Sequence, residues 1–325
     1  MSDISHRMVE ANGIRMHVAE VGAGPLVVLC HGFPETWYSW RSQLRALSEA
    51  GYRAVAPDMR GYGRTEAPED VDKYTLLHLV GDMVGLVGAL GEARTVIVGH
   101  DWGAPVAWHA ALLRPDVFRA VAGLSVPFRP RAAQRPTLAM PRTPTSQFYQ
   151  LYFQTPGAAE AEFERDPRRT VRNVLYWGSG DAPRPQRAAG ESVGMVPLDG
   201  DFLQPGAGPE TLPAWLREAD VDAYAADFAR SGFRGGLNWY RNIDRNWELM
   251  APFAGLRVSV PALYIAGDRD LVVAFPGSDQ LIANLKTFAP DLKGSLMLAG
   301  CGHWTQQERA GEVNAALIEF LRCLP

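Results

Sequence analysis

The chain has 325 residues, 47% of them apolar, enough to bury the core of one large or two modest domains. Its formal net charge of -4 offers no general attraction to nucleic acid or to an anionic membrane. Three widely spaced cysteines, Cys30, Cys301 and Cys323, form neither a disulfide framework nor a metal-ligand pattern and suit a reducing compartment. The opening MSDISHRMVE has no secretory apolar segment, and no run approaches the ~18 apolar residues of a membrane span, so a soluble cytoplasmic protein is expected.

In chain order, Met8 to Glu20 reads as a hairpin around Asn12-Gly13, the dipeptide that supplies a positive-φ turn. Leu26 to Cys30 is a short, continuously apolar run of the kind found in strands buried on both faces. Similar runs recur at Ala54 to Ala56, Thr95 to Val98, Ala120 to Leu124, Ala262 to Ala266 and Leu296 to Leu298. Helix-length segments separate the early ones, at Trp40 to Ala50, Thr75 to Leu90 and Gly103 to Leu113. That alternation predicts an α/β fold with a mostly parallel sheet flanked by helices.

The alternation stops near Pro127 and resumes at Val260-Pro261. Between them lie Pro130, Pro136, Pro141 and Pro144, then amphipathic stretches such as Ala214 to Ala229. The division expected is a core domain of residues 1–129 and 254–325 with an inserted helical cap at 130–253. Within the cap, Arg165 to Arg172 reads as a solvated helix face, and the Gly- and Pro-rich Gly178 to Gly208 as a long mobile loop.

The chemistry gathers at the ends of the predicted strands. Val98 to Pro105 reads VGHDWGAP, a strand leading through Gly-x-Asp-x-Gly into a helix. This is the layout of a nucleophile elbow, with aspartate where serine is usual. Alone the motif is weak, because aspartate between glycines is ordinary turn chemistry. Two later pieces strengthen it: Gly267-Asp268-Arg269-Asp270 after one strand, and Gly300-Cys301-Gly302-His303-Trp304 after another. Their order, Asp101 then an acid then His303, is the one such sheets use, and each sits past the C-terminal end of a strand. Spacing does not choose between Asp268 and Asp270. A fourth piece, His31 to Glu35 (HGFPE), follows the first long strand. The amides of Phe33 and Trp102 would converge there as an oxyanion hole, and a cis bond before Pro34 would fix the turn. His31 lies in the wrong loop for a base, and His6, His17, His78 and His109 lack partner context; all five read as structural.

An aspartate nucleophile carries a chemical message. Its reference pKa of ~3.9 leaves it ionised at neutral pH. It can attack a saturated carbon unaided and form an alkyl ester, so His303 is free to activate water for the second step. The signature is therefore displacement at carbon rather than acyl transfer. A halide leaving group needs only N–H donors, whereas an epoxide oxygen leaves as a basic alkoxide and needs a proton, which a phenol of pKa near ~10 can supply.

Taken together, CHGFPETWYSWR (30–41), DMRGYGRT (58–65), VGHDWGAPVAW (98–108), YQLYFQTPGAAEAEFE (149–164), LNWYRN (237–242) and CGHWTQQE (301–308) resemble the soluble type of epoxide hydrolase on the α/β-hydrolase fold, mammalian and bacterial. The resemblance spans nearly the whole chain. It implies a nucleophile at Asp101, a base at His303, an orienting acid at Asp270, and epoxide-oxygen donors at Tyr149 and Tyr240. Without it the tyrosines would read as packing, with Tyr152 the local competitor of Tyr149. The implied reaction converts an organic epoxide and water to a vicinal diol, with no cofactor and no metal. Phe33, Pro34, Trp102 and Phe153 are the expected pocket residues, with Trp177 nearby. No nucleic acid or membrane partner is expected, and a homodimer is compatible with the chain. Two alternatives stand beside this reading. A haloalkane dehalogenase shares the aspartate but often has an amide side chain where Phe33 stands. A catalytically silent ligand-binding α/β-hydrolase needs the pocket but not the full reaction set.

Overall fold

Asn12 and Gly13 take φ of 51° and 77°, turning β1 (Ser5–Ala11) back on β2 (Ile14–Val21) as the Asn-Gly pair predicts. The computed structural model describes residues 3–184, 192–203 and 208–325. Four strands follow: β3 (Leu26–Cys30), β4 (Arg53–Pro57), β5 (Thr95–His100) and β6 (Phe118–Leu124). A small antiparallel pair, β7 (Ser146–Phe148) and β8 (Met195–Pro197), stands apart from them. The chain then returns to the main sheet with β9 (Ala262–Gly267) and β10 (Leu292–Leu298). The eight-stranded sheet runs in the order β1-β2-β4-β3-β5-β6-β9-β10. Pairing is antiparallel at β1-β2 and β2-β4 and parallel from β4 to β10.

The apolar runs become strands because both of their faces are covered. Along β5, Val96 and Val98 join a core layer with Trp40 and Leu44, and with Leu317 and Phe320 of the C-terminal helix. Ile97 points the other way, into the layer with Met83, Ala107 and Trp108. Burying each such side chain contributes about 1.5–3 kcal/mol. The flanking helices lie at the predicted segments: α1 (Arg41–Glu49), α2 (Leu76–Ala89) and α3 (Gly103–Leu113).

The last run departs from expectation. β10 is the sheet's edge, and Leu296 and Met297 are 40% and 45% exposed, not buried on both faces. A short apolar run reads alike at the centre and at the rim of a sheet; only the strand order distinguishes them.

Between β6 and β9 the chain forms short helices, among them Pro167–Trp177, Glu218–Ser231 and Arg234–Arg241. Arg168 lies on an exposed face, paired with Glu218 and Asp222 at 2.6 and 2.7 Å, as the RDPRRTVR reading anticipated. The amphipathic stretch from Ala214 starts its helix at Glu218, where Asp220 accepts the Arg217 N–H at 2.9 Å. The segment Gly178 to Gly208 contains β8, so it is not a featureless loop; residues 185–191 and 204–207 of it lie outside the described residues. No described helix is long and apolar enough to cross a membrane.

Candidate active site

β5 ends at His100, and Asp101 turns the chain into α3 with φ of 49°, a left-handed conformation unusual for a residue with a Cβ. Two glycines permit the turn. A Cβ on Gly99 would overlap the carbonyl of Gly103, and one on Gly103 would overlap the carbonyl of Cys30. Strand and helix therefore approach within backbone contact, and the carboxylate is presented above them.

One carboxylate oxygen, Oδ1, accepts the Phe33 N–H at 2.7 Å. The other, Oδ2, lies 3.3 Å from His303 Nε2. On its far side His303 Nδ1 meets Asp270 Oδ1 at 2.9 Å. Asp270, 2% exposed, also accepts the Val272 N–H at 2.9 Å. Burial alone would raise the Asp270 carboxyl, but the charge and hydrogen bonds of His303, the Ser125 hydroxyl and the Val272 amide hold it below its ordinary value. Asp268 is engaged elsewhere, its Oδ1 accepting the Gly300 N–H at 2.8 Å.

His303 is held well above its ordinary pKa. Burial opposes its charge, and the Asp270 and Asp101 carboxylates on either side outweigh that cost. Its loop is anchored from the inserted segment, where the Gly178 carbonyl accepts the His303 N–H at 2.8 Å.

The aromatic wall comes from that same segment. Pairing of Phe148 with Met195 in the small sheet, and donation of the Tyr149 N–H to Gly194 at 2.8 Å, orient Tyr149. Its ring lies 6.1 Å from that of Tyr240, which packs against Trp102 at 5.1 Å and Phe33 at 5.6 Å. Burial raises both phenols above their ordinary pKa, and the negative charge of Asp101 raises them further. Both are thus protonated neighbours of the carboxylate. Tyr152 is not one of them; it donates to Glu162 at 2.9 Å.

A cavity of about 720 Å³ opens from Asp101, Trp102 and Tyr149 between the sheet and the insert. Its other walls are mostly apolar, including Leu112, Phe128, Phe148, Met250 and Phe275. Of the expected pocket residues only Trp102 lines it. Phe33, Pro34 and Phe153 stand outside its walls, Phe153 buried among Phe33, Phe163, Phe202 and Tyr240. Trp177 is 54% exposed and away from the cavity. The Phe33-Pro34 bond is cis. His31 is structural: Nε2 accepts the Met59 N–H at 2.9 Å while Nδ1 faces the Gly32 carbonyl.

Sequence reasoning passed over a second buried histidine–carboxylate pair. His100 Nδ1 lies 2.7 Å from a Glu35 carboxylate oxygen and Nε2 2.7 Å from the His303 carbonyl oxygen. Glu35 also accepts Gly32 N–H and the amides of Gln306 and Gln307, tying the HGFPE loop, the elbow and the His303 loop together. Both residues sit inside the HGFPE and GHDWG motifs, which was the available signal. Ser125, directly past β6, was also missed; its Oγ lies 3.1 Å from His303 Nδ1.

The arrangement joins a carboxylate with one oxygen on a backbone amide and the other against an imidazole, and two phenols near that carboxylate. Residues 25–185 match the family described as alpha/beta hydrolase fold. Epoxide hydrolase A of Mycobacterium tuberculosis is 47% identical over 98% of this chain and 97% of its own. Among solved structures, an epoxide hydrolase from an endophytic Streptomyces superposes with a TM-score of 0.94 at 45% identity, covering 99% of this chain and 96% of that one. Epoxide Hydrolase A from Mycobacterium thermoresistibile gives 0.91 at 46% identity, covering 99% of both chains.

Proposed function

The chain belongs to the epoxide hydrolases of the α/β-hydrolase fold, and on that premise we propose that it opens an organic epoxide to a vicinal diol through an ester on Asp101. The observation that carries the proposal is the division of labour at the Asp101 carboxylate, with Oδ1 on the Phe33 amide and Oδ2 open toward His303. Oδ2 attacks an epoxide carbon, the ring C–O bond breaks, and its electron pair goes to the epoxide oxygen. Tyr149 and Tyr240 donate to that oxygen, one surrendering its phenolic proton. The negative charge thereby moves from Asp101, where it opposes phenol ionisation, to the phenolate that remains once the epoxide oxygen is protonated.

Esterification also changes His303. Two carboxylates raise its pKa in the free enzyme; the ester removes one of them. The imidazole then gives up its proton more readily and becomes a base when a base is needed, with Asp270 fixing its orientation. His303 takes a proton from water, the hydroxide attacks the ester carbonyl carbon, and the Phe33 and Trp102 amides hold the oxyanion on Oδ1. Collapse expels the diol oxygen, which takes the proton from His303, and the proton of the new Asp101 carboxyl returns to the phenolate, restoring carboxylate, imidazole and phenol. Residues 130–253 act in this scheme as a cap that supplies both phenols to a core formed by 1–129 and 254–325. Single turnover of an aryl epoxide in ¹⁸O-labelled water tests the route: label should enter the Asp101 carboxylate, and label found only in the diol would exclude the ester.

A further inference from the structure

Glu308 is a buried acid without a counterion. It ends the short helix Thr305–Glu308, which follows the His303 loop, and is 8% exposed. Among the described residues it forms no ion pair, and its partners are three backbone N–H groups. Oε2 accepts from Gly302 at 2.8 Å and from Gly180 at 2.9 Å, while Oε1 accepts from Trp304 at 3.0 Å. Burial raises its carboxyl pKa above the ordinary value, although those amides pull it down. An apolar side chain at this position would avoid that cost but leave three buried N–H groups unmet.

Two of these amides flank His303, Gly302 before it and Trp304 after it. The third, of Gly180, belongs to the inserted segment. That segment meets the same loop at further points. The Gly178 carbonyl accepts the His303 N–H at 2.8 Å, and the Leu175 carbonyl accepts the Trp304 indole N–H at 2.7 Å. A Cβ on Gly302 would overlap the Gly180 nitrogen, and one on Gly180 would overlap the Gly300 carbonyl. Residues 178–180 and 300–302 therefore lie in backbone contact, and the Glu308 carboxylate spans the seam. Asp270 and Ser125 meet the imidazole at Nδ1, the outer end of the side chain. The direction in which the ring leaves the backbone is set instead by the hydrogen bonds of residues 302–304, most of which end on Glu308 or the insert.

We propose that Glu308 is a positioning residue for His303, fixing the loop that carries the imidazole against residues 178–180 of the insert. The inference rests on the Asp101 ester route and adds a residue to its second step. In that route ring opening uses Asp101, Tyr149 and Tyr240, none of which bonds to Glu308. Ester hydrolysis instead requires the His303 ring to be aimed at a water beside the ester carbon. A small tilt of the loop therefore acts on the second step and spares the first.

The test follows both steps on styrene oxide, ester formation by rapid quench with intact-mass detection and hydrolysis by diol release. Glu308→Gln replaces one carboxylate oxygen with an NH2 group, which must face at least one backbone N–H. Ester hydrolysis should slow by about 10- to 100-fold, the span of hydrogen bonds to a charged group. Ester formation should stay near the wild-type rate, so kcat and KM fall together and ester accumulates. Glu308→Asp keeps the charge at shorter reach and should recover part of the loss. Gly180→Ala approaches from the insert: its methyl presses on the Gly300 carbonyl and should give the same selective loss with Glu308 intact. Equal slowing of both steps, or a lower melting temperature with the ratio of the two rates unchanged, overturns the assignment. His303→Gln separates the two levels of the argument. If it too accumulates no ester, the ester route itself fails; ester in His303→Gln but none in Glu308→Gln or Gly180→Ala removes the Glu308 role alone.

Discussion

Two buried histidine–carboxylate pairs lie in contact at the centre of this molecule, their imidazole rings 4.9 Å apart. His303 meets Asp270 at 2.9 Å and His100 meets Glu35 at 2.7 Å. By composition and burial they are near duplicates. They differ in what the second ring nitrogen faces. That of His303 lies against the Asp101 carboxylate, whose charge would disappear on the proposed esterification, leaving the imidazole proton negotiable. That of His100 faces a backbone carbonyl that nothing in the proposed reaction alters. In the proposed reaction the same pair would serve as a proton-transfer device in one place and a brace in the other.

Removing the negotiable imidazole should have the largest effect on turnover. In His303→Gln, Asp101 retains its attacking oxygen while the base is gone. Diol release should fall by about 10⁴-fold or more. Intact-mass measurement should show protein plus one epoxide accumulating. An unmodified protein after exposure to a reactive aryl epoxide would break the proposed two-step order.

The brace should answer in stability instead. Glu35→Ala leaves His100 buried without its acid, a change that costs about 3–5 kcal/mol in comparable buried pairs, measurable by denaturant unfolding. Burial by itself would raise the Glu35 carboxyl, but His100 and the surrounding donors push it down to about 2 from an ordinary 4.5. A depressed carboxyl stabilises the fold at pH above its unfolded value. The advantage of wild type over Glu35→Gln should therefore be full above about pH 4.5 and shrink as pH falls toward 2. Equal stability of the two proteins at neutral pH would show that Glu35 is no brace.

How much of this could be read beforehand follows from the range of each interaction. The elbow, the two acid and histidine turns and the HGFPE loop were legible because each is a local strand-end pattern. Asp268 and Asp270 share that pattern, and only the fold reveals that one caps Gly300 while the other reaches His303. Tyr149 and Tyr152 share a helical turn, and their fates are decided by the β7–β8 pairing and by Glu162 on the next helix. The Glu35–His100 bond closes a gap of 65 residues, and no periodicity encodes it. Phe153 reads as a pocket aromatic but is taken up by its aromatic neighbours, because apolar character cannot say which side of a wall a ring occupies.

A third prediction follows from the coupling of His303 to Asp101. In the proposed route, hydrolysis of the ester needs an uncharged imidazole, whereas ester formation needs only the Asp101 carboxylate. On that route the raised pKa of His303 in the free enzyme should fall once Asp101 is esterified, giving a pH range in which attack proceeds and release is slowed by protonation. In rapid-quench experiments the trapped ester should increase as pH is lowered across that range. A trapped fraction independent of pH would mean that the His303 proton does not control release.

The smallest effect separates a side chain from its backbone. Ser125 has φ of 68°, and its Oγ lies 3.1 Å from His303 Nδ1, on the edge that Asp270 shares. Its main chain is fixed independently, the N–H on the Ile265 carbonyl and the carbonyl on the Tyr264 hydroxyl, both at 2.8 Å. Ser125→Ala keeps the Cβ and its left-handed strain and deletes only the hydroxyl. Losing one hydrogen bond of about 1 kcal/mol should slow ester hydrolysis by about fivefold and shift its pH dependence. Ser125→Gly deletes the same hydroxyl and also relieves the strain, worth about 1 kcal/mol at such a φ. The two variants should therefore share one hydrolysis rate, with the glycine protein the more stable. Divergent rates would mean that the backbone at this bend, rather than the hydroxyl, keeps the His303–Asp270 pair in line.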